Sequence, residues 1–272
     1  MIKTLPLAPT HSYPSVGQCV YCGDNEGKLT KEHIVPRALH GNLVLPDASC
    51  NGCCAITSNF ERRVLRGFLE NGRRAMGISS RHKKHLKPDF IPTQFIAIDD
   101  SRWEENVLFE EGLHVVHLPV FIKPLMLGGV SKSGASTGCE IVAIDTLHIG
   151  DTKCAQRRGA VGVQIKTDVD TGAFVRMLAK VAHCYYIAEK GLFPLSQSPI
   201  LPVIMGRSDD AKPWIGCLED AQLTKQGSTA LHLIDIAELV GADGSICSVV
   251  RIKLFSPNSG PTYAVVTRIQ GP

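Results

Sequence analysis

Cys19-Val20-Tyr21-Cys22-Gly23 and, after a loop, Cys50-Asn51-Gly52-Cys53-Cys54 decide how the first fifth of this chain folds. Each C-x-x-C sets two thiolates at one tight turn, and two such turns close a tetrahedral four-thiolate site of the kind that holds structural zinc. Gly23 lets the backbone curl beneath the first pair. Because Cys54 directly follows Cys53, Cys50 has two candidate partners, and the fourth ligand stays open between them. The other cysteines, Cys139, Cys154, Cys184, Cys217 and Cys247, are spaced singly, as buried core thiols are.

The loop between the knuckles reads Leu29-Thr30-Lys31-Glu32-His33-Ile34-Val35-Pro36, then Arg37-Ala38-Leu39-His40-Gly41. Apolar residues on both sides of Glu32 and His33 predict a short strand ending at Pro36. Consecutive strand side chains point to opposite faces. The two therefore do not easily share one ion, but they can do two jobs at one site. From Ile56 onward, Ile56, Phe60, Val64 and Phe68 recur every four residues with Leu65 and Leu69 beside them, which predicts an amphipathic helix ended by Asn71-Gly72.

In that order, the motifs between Cys19 and Glu61 resemble the zinc-containing HNH endonucleases, in particular the branch with Glu-His ahead of Ile/Val-x-Pro. The matching runs are CVYCG, TKEHIVPRALHG, LPDASCNGC and SNFE. The resemblance implies a ββα-metal fold: a hairpin carrying the catalytic pair, then a helix, clamped by structural Zn²⁺ on Cys19, Cys22, Cys50 and Cys53. It implies His33 as the general base that takes a proton from the attacking water. It implies Glu32 as ligand of a catalytic Mg²⁺ or Mn²⁺ that polarises the phosphate. The family's second ligand to that ion is usually an Asn or His directly after the last knuckle cysteine. Here the position is Cys54, a soft donor poorly matched to Mg²⁺, with Ser58, Asn51 and Asn59 near enough in sequence to substitute. The function expected on this resemblance is a metal-dependent HNH endonuclease hydrolysing phosphodiester bonds of nucleic acid, with DNA as the expected target. The alternative is a zinc-ribbon nucleic-acid-binding protein with a degenerate catalytic site.

Net charge is only +3 and by itself predicts no partner. Its distribution says more, because residues 61–87 hold nine Lys/Arg against two acids. Arg62, Arg63, Arg66, Arg73, Arg74, Lys83 and Lys84 are accordingly expected to contact phosphates, with His82 and His85 as further polar contacts.

The whole chain, 272 residues with 44% hydrophobic and 20% charged, reads as globular α+β. We expect an N-terminal tail (1–16), the zinc-stabilised module (17–72), a basic linker (73–92) and a larger C-terminal α+β domain (93–272) of unassigned role. In that domain 95–98, 114–122, 141–149 and 160–169 read as strands, and 172–190 as a long helix capped by Asp170 or Thr171 and by Gly191. Arg176, Lys180 and Glu189 fall outside its apolar stripe, and His183 is expected at the margin as a packed surface histidine. Residues 250–254 and 263–269 read as a hairpin that, with 231–236, forms an antiparallel sheet against the helix. Residues 128–138 form a Gly/Ser-rich connection. No apolar run reaches the ~18 residues of a membrane span and no signal-peptide pattern opens the chain, so the expected setting is a reducing cytoplasm, with no membrane partner.

Overall fold

A computed structural model describes residues 9–78, 90–131, 138–151, 153–219, 223, 231–255 and 260–270. Strand β1 (His11–Ser12) adds in parallel to β3 (Leu43–Cys50), whose other edge pairs antiparallel with β2 (Leu29–His33). Glu32 lies opposite Leu45 and His33 opposite Val44. Helix α1 (Asn51–Arg66) begins directly after β3, with Cys50 as its N-cap residue. Residues 29–66 are therefore a hairpin followed by a helix. The turn between β2 and β3 demands glycine. A Cβ at Gly41 would stand 1.9 Å from the Val35 carbonyl oxygen, and the preceding His40 is itself left-handed at φ 61°.

The helix expected from Ile56 to Asn71-Gly72 starts earlier and stops earlier. The chain leaves helical geometry at Gly67 (φ −92°, ψ −126°), and Asn71-Gly72 lies inside a second short helix, α2 (Glu70–Ala75). Gly72 there meets Val116 so closely that an added Cβ would be 2.1 Å from its Cγ2.

Strand β4 (Phe90–Ile96) sits between β5 (Arg102–Leu108) and the short β8 (Gly162–Gln164), and this sheet closes a small core of its own around Phe95, Val107 and Cys154. Of the strand expected over 160–169, only 162–164 forms. Strands β6 (Leu113–Phe121) and β7 (Ile141–Gly150) make a separate antiparallel pair. Helix α3 (Thr171–Lys190) matches its expected bounds. The Asp170 side chain accepts from the Ala173 N–H at 3.1 Å, and Gly191 ends the helix at φ 83°. After the short α4 (Leu201–Ile204), β9 (Ile215–Leu218), β10 (His232–Val240), β11 (Ile246–Leu254) and β12 (Thr262–Gln270) form an antiparallel sheet in the order β10-β11-β12-β9. The sheet packs on α3 as expected, with β9 an unforeseen edge.

The principal core crosses the expected module boundary. It runs without a break from Cys19, Val20 and Tyr21 through Phe60 and Val64 to Phe174, Leu178 and Val181 of α3, and on to Ile252 and Val265. Each large apolar side chain buried in it contributes about 1.5–3 kcal/mol. Most of the 128–138 connection, together with Lys83, Lys84, His82 and His85, lies outside the described residues. No helix among the described residues is long and apolar enough to cross a membrane.

The Gly41 contact gives a direct test of the hairpin. Gly41→Ala should push the turn off the Val35 carbonyl and destabilise the fold by roughly 1–3 kcal/mol, the usual cost of forced overpacking. The denaturant midpoint would show it, and a neutral midpoint would mean that the turn is built differently.

Candidate metal centre and buried charge network

The ligand atoms of Cys19, Cys22, Cys50 and Cys53 all lie within 4.8 Å of one another. The first pair sits on a turn closed by the Gly23 N–H donating to the Cys19 carbonyl at 2.8 Å, with Gly23 at φ 78°. The second pair straddles the start of α1. Cys22 Sγ and Cys50 Sγ are 3.7 Å apart, close to the ~3.8 Å edge of a tetrahedron with Zn–S bonds of ~2.3 Å. Four thiols in this arrangement could hold a metal ion such as zinc. The backbone N–H of Cys53 draws the Cys50 thiol below its ordinary range, whereas burial pushes Cys22 and Cys53 up. A cation at the centre reverses that burial cost by favouring every thiolate at once.

Cys53, not Cys54, completes the cluster. Cys54 points elsewhere on the first turn of α1, with its Sγ 3.8 Å from the Ser58 hydroxyl. Asn51 and Asn59 are exposed on the same helix.

Glu32 and His33 alternate as a strand requires, Glu32 buried and His33 half-buried. The Glu32 carboxylate is already engaged. Lys180, from the middle of α3 and fully buried, places its ammonium 2.7 Å from Glu32 Oε1 and 2.9 Å from Glu61 Oε1. The same ammonium donates to the carbonyls of His33 and, at 3.3 Å, Ile34. Burial alone would drive Lys180 down, but the two carboxylates outweigh it and hold it above its ordinary value. Burial raises Glu61, with Lys180 only partly offsetting the rise. The residues do not fit the oxygen-liganded ion expected on Glu32. Its carboxylate is ion-paired in the interior, and the second expected donor, Cys54, is a thiol.

Two further side chains of α3 reach the same module. His183, expected near the surface, is fully buried, with Nε2 2.8 Å from the Val20 carbonyl inside the first knuckle. Cys184 Sγ lies 3.2 Å from the Tyr21 hydroxyl. Lys180, His183 and Cys184 are spaced i, i+3, i+4 and so share one helix face. The sequence held a signal for them: a lysine and a histidine set in the otherwise apolar run from Met177 to Ile187. Its partners, however, lie more than a hundred residues away in the chain.

The expected phosphate contacts separate into groups. Arg62 and Arg66 are exposed on α1 and line a cleft of about 910 Å³ with Lys166, Gln94 and Asn71. Arg63 lines it too, but its Nε lies 2.7 Å from Asp170 Oδ2. Arg73 is not at the surface: it is buried, donating to the carbonyls of Leu65 at 3.2 Å and Ala38 at 2.9 Å, where it ties the end of α1 to the hairpin turn. Arg74 lies over the Phe109 ring at 3.8 Å. The acids Glu104, Asp168 and Asp170 share the cleft.

Neither a protein-family model, nor a curated protein, nor a solved structure matches the chain.

The cysteine geometry separates two neighbours. Cys53→Ala should lose tightly held zinc and destabilise the module, and Cys54→Asn should keep about one zinc per chain, as a closed four-thiolate site requires. Metal analysis of the reduced proteins decides between them, and loss of zinc from the Cys54 variant would reassign the fourth ligand.

Burial lowers His183 to about 4, with the Val20 carbonyl opposing the shift. The unfolded chain protonates this histidine near its ordinary 6.5. The stability gained from keeping the ring neutral is therefore complete above that value and drains away as pH falls towards 4. The loss at the acid end is on the order of 3 kcal/mol. His183→Gln should show a shallower fall over this window, and parallel pH profiles for the two proteins would refute the assignment.

Proposed function

We propose that the chain is a zinc-stabilised nucleic-acid-binding protein, built on an HNH-type hairpin–helix that does not hold a catalytic metal. The observation that carries this reading is the cleft in which Arg62 and Arg66 stand with Lys166. Guanidinium groups on consecutive turns of one helix suit the spacing of phosphates and can bind them in bidentate fashion. Gln94 and Asn71 add neutral donors to the same wall, and such groups position a backbone without reading its sequence. Glu104, Asp168 and the Asp170–Arg63 pair limit the net attraction, so binding rests on a few contacts. The zinc, on Cys19, Cys22, Cys50 and Cys53, supplies rigidity: with four thiolates it has no open position for chemistry.

Replacing Arg62, Arg66 and Lys166 together by Ala should weaken DNA binding for every sequence tried. The log–log salt slope should flatten by roughly 0.9 per lost phosphate contact on duplex, or ~0.7 on single strands. Arg73→Ala should instead lower stability, because its guanidinium is a buried tie. An unchanged slope in the triple variant would remove the cleft from the binding surface.

A second reading, phosphodiester hydrolysis with His33 as general base, is favoured by the order of hairpin and helix and by His33 remaining half-buried beside Val44. Plasmid and single-stranded substrates, incubated with Mg²⁺, Mn²⁺, Ni²⁺ or EDTA, separate the two. Our reading expects intact substrate in every case. Cleavage that His33→Ala abolishes, with zinc content unchanged, would replace binding by catalysis.

A further inference from the structure

Four oxygens converge on the ammonium of Lys180: one from each carboxylate of Glu32 and Glu61, and the main-chain carbonyls of His33 and Ile34. Two carboxylates and two carbonyls around one point are the donors that hard divalent cations take from proteins. A lysine ammonium is a compact point charge with three hydrogens and no acceptor. It can occupy such a point from within the chain, and here it does so at the centre of a 20-residue helix with no exposure to solvent.

We infer that Lys180 is the resident cation of this site, filling the place on Glu32 that a divalent metal would take and closing the hairpin to one. Three features of the geometry support it. The ammonium lies within ion-pairing distance of both acids, so an ion bound to either would have to displace it. The side chain has no exposed position to retreat to, because its helix face is packed into the principal core. The two carbonyls belong to His33 and the next residue, so the site is fixed to the end of the strand that carries the Glu-His pair. The inference gives the binding reading a physical cause for the absence of metal-dependent cleavage. Its test uses no nucleic acid, so the two can fail independently.

The test titrates reduced, zinc-loaded full-length protein with Mn²⁺ and follows the electron paramagnetic resonance signal of the free ion. Wild type should show no saturable binding. Lys180→Met removes the charge but keeps the stem, and should bind one Mn²⁺ per chain at least about tenfold more tightly than wild type, as an added oxygen site with two charged ligands would. Adding Glu32→Gln to that variant should abolish the site. A wild-type site that Glu32→Gln removes would overturn the inference, and so would a folded Lys180→Met protein that takes up no Mn²⁺. If Lys180→Met does not fold, the variant with Glu32→Gln and Glu61→Gln as well removes the uncompensated charge. Recovery of folding would support Lys180 as the cation these acids require, and failure to recover would show that the stem, not the charge, matters, which overturns the proposal.

Discussion

A single ammonium joins the N-terminal hairpin and helix to α3. Bringing Lys180 out of water costs several kcal/mol, and so does each carboxylate beside it. The arrangement is tolerable only because every partner is in place at once: Glu32 from the hairpin, Glu61 from the helix after it, and two carbonyls at the strand end. Removing one member of such a group leaves an uncompensated charge and typically costs 3–5 kcal/mol. The hairpin, α1 and α3 therefore hold their relative positions or lose them together.

The same helix face tethers the first cysteine turn. One turn along from Lys180, the ring of His183 meets the Val20 carbonyl, and Cys184 meets the Tyr21 hydroxyl. Val20 and Tyr21 are the two residues between the first pair of thiols, so the turn that presents Cys19 and Cys22 is braced from behind by α3. A metal ion held by the four cysteines would fix the front of that turn, and the helix fixes its back. Arg73 does comparable work at the far end of α1, where its guanidinium binds the Leu65 carbonyl and the Ala38 carbonyl of the β2–β3 connection. These contacts explain why the principal core joins the N-terminal hairpin and helix to α3 and the C-terminal sheet.

What could be read from the sequence was what is enforced locally. Metal ligands must come in close pairs on turns, so Cys19, Cys22, Cys50 and Cys53 stood out, although spacing could not choose between Cys53 and Cys54. Only the orientation of the first turn of α1 does that. The span and caps of α3 followed from apolar recurrence, Asp170 and Gly191. Polar residues at the edge of that recurrence misled, because a helical wheel knows nothing of acids brought in from another part of the chain. Lys180 and His183 fell outside or beside the stripe and are nevertheless fully buried. Arg73 was counted with its neighbours as a phosphate contact for the same reason: charge runs report composition, and burial depends on which carbonyls lie within reach.

Strand alternation, by contrast, already held the decisive fact about Glu32 and His33. Two adjacent residues on a strand cannot both face one ion, so a site using both must draw its second metal ligand from another element. The position expected to supply it carries Cys54, which turns to Ser58. The inward face belongs to Glu32, and what it meets there is a cation that the chain provides itself. A carboxylate paired in the core organises structure, and His33 lies half-buried on the opposite face of the strand. The exposed Arg62 and Arg66 stand on a helix that starts at the cysteine cluster and is held further along by the Lys180–Glu61 pair.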